Sequence, residues 1–373
     1  MNELRPGSEE ELAEMIRDAA AAGRTLAVRG GGTRGAEATG ATRVSTAGLS
    51  GITLYEPGAL TLVARAGTPL AEVEAALAAE GQMLPFEPWD ARPLMGSNGA
   101  PTVGGMAAAN ASGPRRLQAG ACRDAMIGVR FVDGTGAVVR NGGRVMKNVT
   151  GLDLVKLMAG SRGALGALTE VAFKVLPAPE TRATLTWEGL DLGAAAELMT
   201  AATGTPYEVT GAAHAPGGPS RTWLRVEGFS GSVAHRSRAL AAALARFGAP
   251  EIAEGPGPWA EIRDAAALAG REGAVWRISV RPTDAPRVAA ALPQAELLFD
   301  WAGGLVWALA PEALDLRAAL AGIAGHATLV RASEGARARW GAAPPEPAPV
   351  AALSAGLRAK FDPKGVFAPA GAG

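Results

Sequence analysis

The sequence predicts an α+β chain in two units: a glycine-dense first half, then a small α+β cap domain with an antiparallel sheet. Three observations lead there. The chain has 373 residues, roughly two domains' worth at about 150 residues each. It carries 50 glycines, near twice the usual share of about 7%. Trp89 alone precedes Pro177-Ala178-Pro179, whereas Trp187, Trp223, Trp259, Trp276, Trp301, Trp307 and Trp340 follow it. Two prolines there deny both helix and ladder pairing, which makes that tripeptide a boundary. The expected units are 1–179, 180–343, and a tail, 344–373, that opens on the proline-rich break Pro344–Pro349.

Ser8 followed by Glu11 is a capping box. Leu12, Met15, Ile16 and Ala19 then keep helical spacing until Gly23 stops the helix. Thr25–Arg29 reads as a strand running into Gly30-Gly31-Gly32-Thr33. A second strand, about Leu60–Ala66, leads to Thr68 as N-cap and Pro69 at the first helical position. The helix that follows carries Leu70, Val73 and Leu77 and ends at Gly81. Pro93–Gly113 reads as small and flexible. Phe131-Val132 enters an Asp133-Gly134 hairpin turn and returns through Val138-Val139. Leu168–Leu176 closes the unit.

In the second half Thr222–Val226, Trp276–Val280 and Gly304–Leu309 read as strands. They alternate with helices near Val233–Phe247 and Pro286–Leu292, the pattern of an α+β unit. A last short helix is expected near Val350–Phe361.

Composition excludes several functions. Lys+Arg and Asp+Glu both number 36, so the broad basic footprint of a general nucleic-acid binder is missing. One cysteine, Cys122, excludes internal disulfides, cysteine-ligated zinc and iron–sulfur clusters. Three scattered histidines, His214, His235 and His326, predict no metal site. No basic-then-apolar leader and no apolar run of about 18 residues is evident. The expected location is the cytoplasm, with peripheral attachment through a partner left open.

Gly30-Gly31-Gly32-Thr33-Arg34-Gly35 formally matches G-x-G-x-x-G. A dinucleotide fold needs that motif to open a helix, and Ala36–Thr42 carries no apolar helical stripe. The remaining readings are an ordinary turn, or a nest of backbone N–H groups around a pyrophosphate. Two further clusters, Thr102-Val103-Gly104-Gly105 through Ser112-Gly113 and Gly160–Gly166, favour the nest. Three separated clusters suit a long ligand threaded between subdomains.

The order Arg29–Thr33, Thr102–Gly105, Gly120–Asp124 and Gly160–Gly166 resembles the FAD-binding (PCMH-type) domain of the vanillyl-alcohol oxidase family. The resemblance covers about Glu9 to Pro179. It implies FAD extended between two subdomains with its pyrophosphate on the first glycine loop. Carried over residue by residue, the cofactor contacts are Arg29, Gly30, Gly31, Gly32, Thr33 and Arg34, then Thr102, Val103, Gly104 and Gly105. Ser112, Gly113, Asp124, Gly163, Leu165 and Gly166 complete the set.

Val145–Leu154, Trp276–Val280, Asp300–Gly304, Gly325–Leu329 and Phe361–Phe367 are similar to the shorter flavin subunits of bacterial glycolate oxidases. That resemblance implies oxidation of glycolate or a similar 2-hydroxy acid within a complex that also holds a longer FAD-binding subunit and an iron–sulfur subunit. Two alternatives stand beside it: an electron-relay or assembly subunit whose longer partner oxidises the substrate, and a stand-alone hydroxy-acid or alcohol dehydrogenase. A subunit that keeps the fold without FAD is disfavoured by the intact glycine loops. Family members with covalent flavin often place histidine just after the first glycines. Thr33 stands there, so the FAD is expected to be non-covalent. The tail departs from the family's Asn-Pro-Gly, having Ala368-Pro369-Ala370.

Oxidising a 2-hydroxy acid needs a cation for the carboxylate and a base for the hydroxyl proton. Arginine's fork suits the carboxylate. Arg277 and Arg281, which alternation sets opposite Trp276, Ile278 and Val280, and Arg331 are candidates, each weighed against a solvated surface role. His326 is the candidate base, weighed against a half-buried histidine at a strand start. Lys147 either faces the flavin or pairs with a carboxylate. Cys122 reads as a small buried side chain, with a flavin thioether or a redox switch as the alternatives.

Overall fold

A computed structural model of the chain describes residues 3–34, 40–143 and 151–368. Gly35, most of Ala36–Thr42, Lys147 with the rest of 145–150, Pro369 and Ala370 lie outside the described residues.

The first helix, Glu9–Ala22, is capped as its sequence dictates. Ser8 Oγ accepts from the Glu11 N–H at 3.2 Å, and the Glu11 carboxylate accepts from the Gly7 N–H at 2.7 Å. Gly23 ends the helix at φ 62°, the left-handed region that favours glycine. Strands β1 (Leu26–Arg29) and β2 (Thr42–Ser45) form a parallel pair against this helix. The chain's last segment returns here, with the Leu26 N–H donating to the Val366 carbonyl and the Ala368 N–H to Leu26.

The first unit continues with β3 (Ile52–Glu56), β4 (Thr61–Arg65), β5 (Gln82–Met83), β6 (Met126–Val132), β7 (Val138–Gly142), β8 (Ala167–Lys174) and β9 (Leu176–Pro177). Five of these make an antiparallel sheet in the order β3-β4-β8-β6-β7, while β5 pairs with β9. The hairpin at Asp133-Gly134 forms as a five-residue loop, because Val132 pairs with Val138. Asp133 Oδ1 holds it by accepting from the Thr135 and Ala137 N–H groups.

Three local expectations need correction. Pro69, not Thr68, is the N-cap of helix Leu70–Ala79. The Thr68 hydroxyl instead accepts from the Gly51 N–H at 2.9 Å, tying down the turn before β3. The stretch Pro93–Gly113 is not wholly loop. It holds helices Arg92–Met95 and Val103–Ala108, the second capped by Thr102, whose Oγ1 accepts from the Gly105 N–H at 3.3 Å. Pro177 does sit in a ladder, opposite Gln82 at the end of a two-residue pair where its missing N–H costs nothing.

The second sheet has eight antiparallel strands, β10 (Thr181–Glu188), β11 (Val209–Ala215), β12 (Arg221–Gly228), β13 (Glu251–Glu254), β14 (Ala274–Val280), β15 (Glu296–Asp300), β16 (Leu305–Ala310) and β17 (Gly325–Arg331). Their order is β13-β10-β12-β11-β15-β16-β14-β17. Alternation sorts its two faces. Trp276, Ile278, Phe299, Val306 and Ala308 pack with Ala285, Val288 and Leu292 under helix Ala285–Ala291. Val275, Leu298, Leu305, Trp307 and Leu309 point the other way. They share one core with Phe86, Trp89, Phe131 and Phe173 of the first unit. The face of β14 that carries Arg277 is therefore the face pressed toward the glycine loops.

Candidate functional site

The glycine loops converge on a cleft of about 310 Å³. Arg29, Gly30, Gly31, Gly32, Thr33 and Arg34 line one wall, and Thr102, Gly104 and Gly105 a second. Gly163 and Gly166, just ahead of β8, join them, with Arg162 beside Gly163 and Ala368 of the tail at the rim. The N–H groups of Gly31, Gly32 and Thr33 donate to no acceptor among the described residues. Unpaired donors that converge on a concave surface are what a phosphate oxygen requires.

The structure divides the glycines by cause. A Cβ on Gly31 would lie 1.5 Å from the Ala100 carbonyl oxygen, and one on Gly99 would lie 1.7 Å from that of Gly31. A Cβ on Gly104 would meet the Ala66 Cβ at 2.7 Å. These three are glycine because backbone packs on backbone. Their presence alone is therefore no argument for a ligand, contrary to the inference from sequence. Gly105 and Gly163 differ. A Cβ on Gly105 meets only the Thr102 hydroxyl, at 3.2 Å, and one on Gly163 meets nothing. Both open onto the cleft, leaving it room for a cofactor.

Five residues expected at the cofactor stand off the cleft lining: Val103, Ser112, Gly113, Asp124 and Leu165. Val103 and Leu165 are core. Ser112 Oγ accepts from the Cys122 N–H at 2.9 Å, and the Gly113 carbonyl accepts from Trp301 Nε1 at 2.9 Å. Asp124 accepts from the Ala121 N–H at 2.8 Å and so closes its own helix turn. Cys122 is buried, and burial pushes its thiol up, far from thiolate reactivity.

Arg277 lies on the β14 face directed at the first unit. Its guanidinium stands 5.0 Å from the Trp301 ring and 5.9 Å from that of Trp307. Its Nε is buried without a hydrogen-bond partner. Burial first, then the neighbouring Arg116, Arg162 and Arg34 charges, bring its pKa down to about 10. His326 on β17 pairs in register with Ser279, two residues along β14, and so shares Arg277's face. Burial and the Arg277, Arg116 and Arg162 charges hold it below the ordinary histidine range, so its ring is neutral at physiological pH.

Arg281 and Arg331 take other roles. Arg281 falls just past β14, is mostly exposed and bonds Asp284 at 2.8 Å. Arg331 donates to the carbonyls of Leu94, at 3.0 Å, and Arg271, tying β17 to the helix at Arg92–Met95.

Asp300, Arg116 and Arg162 were not singled out in the sequence. Asp300 ends β15 fully buried, accepts from the Trp301 N–H at 2.7 Å, and is pushed up to about 7 by burial. The signal for Arg162 was its place inside the third glycine cluster. Arg116 and Asp300 gave none, because only the tertiary approach of the two sheets brings them to the site.

A FAD binding domain family matches residues 3–142. Glycolate oxidase subunit GlcE of Escherichia coli K12 is 38% identical over 321 residues, covering 86% of this chain and 83% of that protein.

The chain belongs to the vanillyl-alcohol oxidase family of FAD-binding flavoproteins.

Glycolate oxidase subunit GlcD of Bacillus subtilis 168 is 42% identical over a shorter stretch, 25% of this chain and 20% of that one. A solved alkyldihydroxyacetonephosphate synthase overlays 98% of this chain and 75% of its own with a TM-score of 0.69 at 15% identity, which shows the shared fold. FAD is thus the cofactor of this flavoprotein, and the cleft's free N–H groups and open glycines fit it. No helix among the described residues is long and apolar enough to cross a membrane.

Proposed function

We propose that this chain is the FAD-binding subunit of a glycolate-oxidising complex and itself oxidises glycolate or a similar 2-hydroxy acid to the 2-oxo acid. Similarity to the GlcE and GlcD subunits supports partnership with a longer flavin subunit, and the family resemblance adds an iron–sulfur subunit. The observation that carries the catalytic reading is Arg277: a guanidinium without a carboxylate partner among the described residues, on the sheet face that abuts the cleft, beside a neutral histidine.

When bound, FAD accepts the hydride that leaves C2 of the substrate. The chain's own residues do the rest. Arg277 takes the substrate carboxylate on its fork and so orients C2 toward the cleft. His326 receives the hydroxyl proton, for which its neutral ring is the competent form. Thr33 occupies the place of a linking histidine and offers no ring nitrogen, so FAD is held non-covalently by the glycine walls.

The test is Arg277→Met in the assembled complex. Loss of the carboxylate clamp is expected to lower kcat/KM for glycolate by about 10²-fold or more, with FAD content unchanged. Unaltered kinetics would remove Arg277 from the site.

A further inference from the structure

Arginines that are deeply buried elsewhere in this chain are paired. Arg225 binds Glu87 at 2.8 Å, and Arg115 binds Glu227. Arg116, Arg162 and Arg277 break that rule. None has a carboxylate or a side-chain hydrogen-bond partner among the described residues, and none is a surface group. They come from three separate places: the short helix Arg116–Ala119, the loop before β8, and the middle of β14. Arg116 and Arg277 both lie against one indole, at 4.5 and 5.0 Å from the Trp301 ring. Arg162 is held at φ 53° beside Gly163 on the cleft wall, a conformation unfavourable for arginine.

Like charges gathered in a partly dry space cost free energy unless an anion joins them. Nothing in the protein supplies it. Asp300, the carboxyl that feels Arg277, takes up a proton near neutrality and offsets little. A lone carboxylate satisfies one fork and leaves two cations uncompensated. Two carboxylates on one small molecule would match three guanidinium groups far better.

We propose that Arg116, Arg162 and Arg277 form an anion site for a two-carboxylate ligand, so that the preferred substrate class is a 2-hydroxy dicarboxylic acid rather than a simple monocarboxylate. In this arrangement Arg277 holds the carboxylate next to the reacting carbon, and Arg116 with Arg162 holds the distal one. The substrate role rests on the oxidase reading above, but the binding claim does not.

The experiment titrates the FAD-loaded chain with succinate and with acetate at constant ionic strength, following tryptophan fluorescence and the flavin difference spectrum. Trp301 and Trp307 touch the cations and should report occupancy. Succinate is expected to bind at least tenfold more tightly than acetate. Arg116→Met should erase that advantage and leave acetate affinity unchanged, while Arg116→Lys restores part of it. Equal affinities for the two anions, or an Arg116→Met variant that weakens both alike, would overturn the proposal. An Arg162→Met variant that loses FAD instead of the dicarboxylate preference would give Arg162 to the cofactor and also overturn it. These are equilibrium measurements without turnover. A chain that prefers succinate yet leaves its flavin oxidised in glycolate defeats only the oxidase reading. One bleached by glycolate without that preference defeats only this one.

Discussion

Glu87 and Arg225 join the two units through a paired contact, with Arg225 Nη1 and Nη2 donating to the two carboxylate oxygens at 3.0 and 2.8 Å. Arg225 is fully buried on β12, and Glu87 sits at φ 50° in the loop after β5. The Arg225 charge keeps the Glu87 carboxyl ionised despite its burial. Removing one partner strands a buried charge, which costs about 3–5 kcal/mol. Glu87→Ala should therefore lose stability on that scale in urea unfolding. A loss below about 1 kcal/mol would show that Glu227, 3.4 Å from Arg225, suffices alone.

The glycines separate into folding and binding positions. Gly31→Ala should prevent folding, because its Cβ would overlap the Ala100 carbonyl. Gly105→Val should fold, since its Cβ meets only one hydroxyl, and should lose FAD by filling the cleft. Circular dichroism with flavin content on the purified variants checks both. A yellow, fully loaded Gly105→Val protein would contradict the cleft assignment.

His326 makes a claim about pH. As a base it works deprotonated, so activity rises as pH climbs through its pKa, which burial and the three arginines keep low. Arg116→Met removes one of those cations, and the acid limb of kcat/KM should move to higher pH. His326→Ala should lower turnover by about 10²-fold and abolish that limb. A limb that stays in place in both variants would return His326 to a purely structural role.

Asp300 makes a claim about stability. Its folded pKa, about 7, stands above the ordinary carboxyl value of 3.8. Its stabilising effect is complete below the unfolded value and is lost as pH rises through about 7. Asp300→Asn cannot ionise. The wild-type Tm should thus fall relative to that of Asp300→Asn between pH 5 and pH 8. Parallel Tm curves would show that the carboxyl is ionised throughout.

Much of this was legible in the sequence because its causes are local. Ser8, Glu11 and Gly23 specify a helix through capping alone, and alternation around Trp276 and Ile278 set Arg277 on the opposite face. The ordered glycine clusters located the cleft walls, although the reason for Gly31 and Gly104 was backbone packing invisible from one dimension. Thr68 was misread because a threonine before a proline looks like a cap whether or not a distant Gly51 claims its hydroxyl. Arg281 was misread because the strand stops one residue before it. Arg116, Arg162 and Asp300 were invisible because separate elements bring them to one place only after the second sheet docks on the first unit.

The central claim is that this chain oxidises its substrate rather than relaying electrons for a partner. The most direct measurement is the visible spectrum of the purified, FAD-loaded chain before and after anaerobic addition of glycolate. The account predicts bleaching of the oxidised flavin band. A band that stays fully oxidised, in the isolated chain and in this subunit's flavin within the assembled complex, would contradict it.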